Sequence, residues 1–141
     1  MAKGVRLACD VGTVRIGVAR SDFHGILATP LDAIPASPDS IGPVKHLIEE
    51  LDVVEIIVGL PLMMNGTEGA SAAMARDWAT RLGAVIEIPI RMVDERLTTV
   101  EAQRGLHAAG RTVKNSRSAI DSASAVVLLQ AVLDSSKNES S

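Results

Sequence analysis

Apolar and polar positions fall into short blocks along the chain, and the period and length of each block name an element. Val5 to Val11, VRLACDV, is a buried central strand. Ile16 to Ser21 follows the turn Gly12-Thr13-Val14-Arg15, and a second turn, Asp22-Phe23-His24-Gly25, leads to Ile26 to Ile34. Pro30 lacks the N–H of a two-sided ladder and puts this third strand at a sheet edge. The short links make the three an antiparallel meander. PASPDS is a loop in which Asp39 or Ser40 caps a helix, and Val44, Leu47, Ile48 and Leu51 then recur at helical spacing. VVEIIVGL is a second buried strand, so strand, helix and strand form a parallel crossover. PLMMNGTEG is a loop with an Asn65-Gly66 turn, and Thr67 caps a helix running to about Leu82. VIEIPIRMV is a further strand whose start is blurred by Pro89. Two helices, Thr99 to Ala109 and Ser118 to Leu133, complete the pattern before SSKNESS, a polar tail expected to be disordered.

With no internal repeat and no dividing linker, residues 1–134 read as one domain and 135–141 as its tail. Three antiparallel strands followed by β/α alternation predict an α/β fold, a mixed five-stranded sheet with helices on both faces.

Composition narrows the function classes. Apolar residues at 47% suffice for one core, and no apolar stretch is long enough to span a membrane. The N-terminus has Lys3 and Arg6 but no hydrophobic signal core, which predicts a cytoplasmic protein. Cys9 is the only cysteine, so an internal disulfide and a cysteine-rich zinc site are excluded; in the first strand it reads as a packed thiol. His24, His46 and His107 have no metal-ligand spacing. The formal charge of −3 does not advertise nucleic acid, but Arg91 to Arg117 holds six basic residues against three acids. That stretch is either one positive end of the molecule or a set of solvated helix faces.

Four carboxylates sit badly for a merely solvated role. Asp10 is inside the first strand, Asp94 and Glu95 end the last one in VDERLTT, and Asp121 lies in the final helix. A carboxylate in a buried strand is costly unless paired, hydrogen-bonded or bound to metal. Asp121 shares a helical stripe with Ala125, Leu128 and Val132, the face that must pack on the sheet. It is either a helix-start carboxylate favoured by the dipole or an acid facing Asp10. Alternation sends Asp94 and Glu95 to opposite faces, so one of them joins Asp10, and the pattern leaves open which. Thr98 with Glu101 matches a capping box, and Arg96 either pairs with a neighbouring acid or meets phosphate. Three converging carboxylates repel unless protons or a divalent cation arrive, and hard oxygen ligands without histidine or thiolate select Mg²⁺ or Mn²⁺.

LACDVGTVRIGVARSD, IIVGLPLMMNGTEG, VDERLTTVEA and DSASAVVLLQ resemble, in order and over most of the chain, the four blocks of the YqgF/RuvX family. The resemblance implies an RNase H-like fold with sheet order 3-2-1-4-5 and the second strand antiparallel to its neighbours. Family members are described as nucleases that process the 5′ end of the 16S ribosomal RNA precursor, with an older label of Holliday-junction resolvase. Carried over, it assigns Asp10, one acid of the DER block (Glu95 ahead of Asp94) and Asp121 as the metal-binding acids. Asn65 stands where many members have Asp, and Gly59-Leu60-Pro61 stands where RuvC resolvases carry an acid near the end of the fourth strand.

The leading expectation is therefore a two-metal nuclease using Mg²⁺ or Mn²⁺, with Arg96, Arg104, Arg111, Lys114 and Arg117 tracking the nucleic-acid backbone. Phe23 and Trp78 are the only aromatic residues, and Trp78 reads as core beside Met74 and Leu82. Base stacking is thus not the basis of recognition, which suits structured RNA, such as pre-16S ribosomal RNA, or branched DNA. A homodimer is expected if two strands are cut. Two other readings compete: a four-way DNA junction resolvase, and a non-catalytic RNA-binding factor of ribosome assembly. The Asp-x-Gly-Thr motif also resembles the first phosphate loop of actin-like and sugar-kinase ATPases, but those close on nucleotide with two such domains and this chain has one.

Overall fold

A computed structural model describes residues 3–97 and 120–140. Strands β1 (Val5–Val11), β2 (Arg15–Ser21) and β3 (Ala28–Pro35) form the meander, and helix α1 (Ile41–Leu51) leads to β4 (Val53–Leu60). Helix α2 (Ala70–Gly83), strand β5 (Ile90–Asp94), a single 3₁₀ turn (Glu95–Leu97) and helix α3 (Ala123–Ser140) complete the described elements. The sheet order is β3-β2-β1-β4-β5, with β1 parallel to β4, β4 parallel to β5, and β2 antiparallel to both its neighbours.

Strand alternation sorts the core into two layers. Leu7, Cys9, Ile56 and Val58 point to the face covered by α1 and α2, where Val44, Ile48, Trp78 and Leu82 meet them. Ala8, Ala19 and Ile57 point to the opposite face and pack against Ala125, Leu128, Leu129 and Val132 of α3, with Val93 alongside. Trp78 is core, as its helical spacing predicts. Burial and the charge of the adjacent Asp10 push the Cys9 thiol up to about 12, so it is an inert packed group.

The α3 face carries a polar row at each end. At the end where β1 and β4 begin, buried Arg6 bonds the Glu55 carboxylate at 3.1 Å, and Arg91 approaches the same carboxylate at 3.6 Å. Arg91 is thus remote from the acids at the other end and does not belong to a positive surface around them. At the carboxyl ends of the parallel strands the row holds Asp10, Gly59 and, just past β5, Glu95.

Helix α3 is fastened to the meander by polar side chains as well as by packing. The β2–β3 register shifts between Ile16 and Val18. Ser122 fills the resulting gap: its Oγ accepts from the Val18 N–H at 2.9 Å and donates to the Leu31 carbonyl at 2.7 Å. Farther along α3, Gln130 accepts from the Ala28 N–H and donates to the Ile26 carbonyl. Ser122→Ala strands a buried donor and an acceptor, at a cost of about 2–3 kcal/mol. The expected result is a thermal midpoint lowered by roughly 6–10 °C, read by circular dichroism.

Several local expectations are corrected. β3 starts at Ala28 and not Ile26, because the Asp22 carboxylate takes the N–H groups of Ile26 and Leu27 at 2.7 and 2.8 Å and holds them in the turn. Ser40 occupies the start of α1 but makes no capping bond; its hydroxyl accepts from the Trp78 indole N–H at 3.0 Å. Thr67 does not cap α2, because its N–H and hydroxyl both bond the Asn65 side-chain oxygen and the helix begins after Gly69. β5 is confined to Ile90–Asp94, after Pro89. The helical backbone of α3 runs through Ser140, past the point where the polar tail was expected to begin. The Thr99 to Ala109 helix and the Thr98–Glu101 capping box lie outside the described residues.

Candidate active site

Asp10 is the last residue of β1 on the α3 face, two positions beyond Ala8. Its partner across the ladder is Gly17 of β2. A Cβ on Gly17 would lie 3.8 Å from the Asp10 Cβ, 3.1 Å from the Asp121 carbonyl oxygen and 3.3 Å from the Ser122 Cα. The missing side chain therefore lets the start of α3 settle directly beside Asp10. On the other flank, Gly59 of β4 serves the same end. A Cβ there would collide with the Glu95 carboxylate and stand 3.0 Å from its Cγ. The end of β4 contributes room where RuvC resolvases carry an acid, and Glu95 reaches across from the end of β5 to fill it.

Glu95 thereby meets Asp10 in a carboxyl–carboxylate hydrogen bond. Desolvation first, then the hydrogen bond and the negative charge of Asp10, push its pKa up to about 7, with Asp94 adding a smaller contribution. The protonated Glu95 is the donor. Asp94 turns to the other face and is committed to Arg96, whose Nε and Nη2 bond its carboxylate at 3.0 and 2.8 Å while the Arg96 N–H adds a bond at 2.8 Å. Those bonds hold the Asp94 carboxyl below the usual range. Arg96 therefore spends its fork on Asp94 and stands beside Gly66 of the β4–α2 loop.

Asp121 sits at the start of α3 with its stripe mates buried, but its carboxylate bonds Arg15 Nη1 at 3.0 Å. Among the described residues no three acidic, histidine or cysteine side chains stand close enough to hold a metal ion. The physical reason is local: a guanidinium two residues before Gly17 draws the third acid to itself. Arg104, Arg111, Lys114 and Arg117 lie outside the described residues.

Does a divalent cation fit? Two hard carboxylates sharing a proton at the carboxyl ends of parallel strands offer oxygen donors only. Mg²⁺ or Mn²⁺ is commonly held by one or two carboxylates with water completing the shell. The Asp10–Glu95 pair fits one such ion, and a second ion requires Asp121 as well.

The shared proton has a measurable consequence. A carboxyl whose pKa is higher in the folded than in the unfolded state binds more protons when folded. Its stabilising contribution is complete below its ordinary value of 4.5 and is lost as pH rises through about 7. In EDTA, wild type is expected to lose on the order of 1 kcal/mol relative to Glu95→Gln between about pH 5 and pH 8, after allowance for partial exposure. Thermal melts across that range check it.

Sequence reasoning missed Gly17, Gly59, Arg15 and Ser122. Their only signal was small residues, and one turn arginine, at positions facing the acids.

The fold has close parallels. Two structures of Thermus thermophilus RuvC, one in complex with a Holliday junction substrate, superpose with TM-scores of 0.64 and 0.61 at 12% identity, covering about 95% of both chains. That likeness identifies the fold as RNase H-like. Among curated sequences, a protein of Clavibacter michiganensis is 44% identical over 140 residues, covering 97% of this chain and 87% of its own length. One of Mycobacterium ulcerans is 52% identical over 135 residues, covering 94% and 79%. Both carry the name "Putative pre-16S rRNA nuclease". Residues 4–135 match the family model described as "RuvX: Holliday junction resolvase", and the chain belongs to the RuvX family.

Proposed function

We propose that the protein is a divalent-metal-dependent nuclease that hydrolyses phosphodiesters of structured nucleic acid, with the 5′ end of the 16S ribosomal RNA precursor as its substrate. The observation that carries this reading is the Asp10–Glu95 pair, two carboxyl groups held against each other, with Glu95 lying over Gly59. Such a pair cannot ionise fully without repulsion, and a cation that takes the proton's place neutralises both charges. The names of the relatives point to pre-16S ribosomal RNA, and the family resemblance adds its 5′ end.

In this reading Asp10 and Glu95 hold Mg²⁺ or Mn²⁺, and Asp121 is the third acid of a two-metal set. The metal supplies Lewis acidity at the scissile phosphate and a nucleophilic water at neutral pH. Asp10, fixed in the central strand, sets where the reacting phosphate lies. Glu95 would give up its proton as the ion binds, so metal binding would weaken as pH falls below its raised pKa. Gly17 lets the start of α3 settle beside Asp10, and Gly59 makes room for the Glu95 carboxylate, so both glycines shape the acid site. Arg96, Arg104, Arg111, Lys114 and Arg117 are assigned to phosphate contacts; for Arg96 this requires exchange of Asp94 for phosphate.

A second reading, resolution of four-way DNA junctions, is favoured by the family description and the RuvC-like fold. Incubating the full chain with precursor 16S RNA and with a four-way DNA junction, each in Mn²⁺ and in EDTA, separates the two. Cleavage of the RNA in Mn²⁺ alone is the expected result. Metal-dependent cleavage of the junction alone transfers the proposal to resolution, and binding of RNA without cleavage supports a non-catalytic assembly factor.

A further inference from the structure

Arg15 stands on the α3 face of β2, two residues before Gly17, and reaches the third acid across the mouth of the site. We propose that Arg15 is a substrate-responsive latch. In the free protein its guanidinium retains the Asp121 carboxylate, and a nucleic-acid phosphate that takes Arg15 releases Asp121 to join Asp10 and Glu95 around the cation. The inference rests on the nuclease reading and adds to it a positioning residue and a trigger.

Three features of the geometry point this way. First, the pair is asymmetric: the Asp121 side chain is 16% exposed and the Arg15 side chain 49%, so the guanidinium is the partner that an incoming phosphate can reach. Second, Arg15 meets Asp121 through Nη1 alone, whereas Arg76 grips Glu68 and Arg96 grips Asp94 with two nitrogens each. An arginine with donors to spare gains a forked bond by moving to phosphate, and a half-exposed single contact is weak enough to yield. Third, the backbone that carries Asp121 is already in place. Ser122 is bonded to Val18 and Leu31, and the Asp121 carbonyl lies against Gly17 beside Asp10.

The latch also accounts for why the free protein keeps its third acid apart. Three carboxylates without a cation repel one another, and a guanidinium at the rim is the better partner until metal and substrate are both present. Coupling of this kind is reciprocal, so nucleic acid tightens metal binding and metal tightens nucleic-acid binding by the same factor.

The test measures Mn²⁺ affinity from the electron paramagnetic resonance signal of the free ion, without nucleic acid, for wild type, Arg15→Gln, Asp121→Asn and the double variant. Arg15→Gln is expected to bind Mn²⁺ about tenfold more tightly than wild type, and the double variant no more tightly than Asp121→Asn. A short RNA duplex should move wild type toward the Arg15→Gln affinity and leave Arg15→Gln unmoved, with Asp10→Asn protein as the blank for ions held by the RNA itself. Equal affinities for wild type and Arg15→Gln overturn the latch, as does a gain that persists in the double variant, which marks simple loss of a nearby positive charge. Binding that needs Asp10 and Glu95 but ignores Arg15 removes the latch and leaves the nuclease reading standing. Absence of any Asp10-dependent Mn²⁺ binding removes both.

Discussion

Asp10→Asn is expected to lower metal-dependent cleavage at least about 10³-fold, equivalent to roughly 4 kcal/mol of transition-state stabilisation. The substitution keeps the shape of the side chain and its hydrogen bond to Glu95, so the strand and the β1–β2 ladder are undisturbed. It removes the charge that a cation needs, and with it the part of the Glu95 shift that the Asp10 charge adds to the larger effect of burial. Folding should therefore be unimpaired, and the variant should melt no lower than wild type in EDTA. Affinity for an RNA duplex should change little, because one half-buried carboxylate contributes little to a surface that reads phosphates. Cleavage rates, thermal melts and duplex binding on the same preparation check all three. A protein whose role is only to bind RNA would show no functional loss.

Gly59→Ala should be nearly as damaging to activity, although the residue carries no chemistry. A glycine in a strand interior ordinarily gains from a methyl group, through a smaller entropy loss and added packing. Here the new Cβ enters the space of the Glu95 carboxylate and presses on its Cγ. The carboxylate must swing away from Asp10, and a displacement near 1 Å at a reacting centre can cost about 10²-fold in rate. Stability should move by less than about 1 kcal/mol, since relief of the acid–acid contact offsets the clash. In the variant the Glu95 carboxyl should return toward its ordinary pKa, visible by carbon-detected NMR titration. A large rate loss with normal stability and a lowered Glu95 pKa is the combined signature expected.

The sheet was legible because its strands are written in the simplest code the chain has. Apolar runs such as VRLACDV and VVEIIVGL, short polar turns in the meander and a proline in β3 fix pairing and edge without tertiary information. The sheet order implied by the family resemblance is the order found. Element ends were less legible, since side chains competed for the backbone there. Asp22 claims two N–H groups that the apolar run assigns to β3, and Asn65 claims the hydroxyl that would cap α2. Within the site, alternation puts Asp94 and Glu95 on opposite faces but cannot say which face α3 covers. That choice is made by Val93 and Ile57 packing on α3, a long-range fact. Ser122 reads in sequence only as a small residue permitting close approach. Its actual role depends on a register shift between two other strands, which no local pattern announces. The diversion of Asp121 to Arg15 was hidden for a similar reason, because the two are brought together by docking over a separation of 106 residues.

Asp94 and Glu95, adjacent in sequence, illustrate how environment divides roles between like groups. Asp94 is ionised and paired at the surface, its carboxyl held down by Arg96. Glu95 is half-buried against another acid and holds its proton to about neutral pH. Only the second is poised to exchange a proton for a cation under mild conditions.

Proton release on metal binding tests that exchange most directly. Mn²⁺ titrations by calorimetry at about pH 6, repeated in buffers of different ionisation enthalpy, count the protons released per ion bound. Wild type is expected to release about one proton per ion, falling toward zero near pH 8.5, and Glu95→Gln about none. Tight Mn²⁺ binding that releases no proton at about pH 6, or that survives Asp10→Asn unchanged, would contradict the assignment of this acid pair as the metal site.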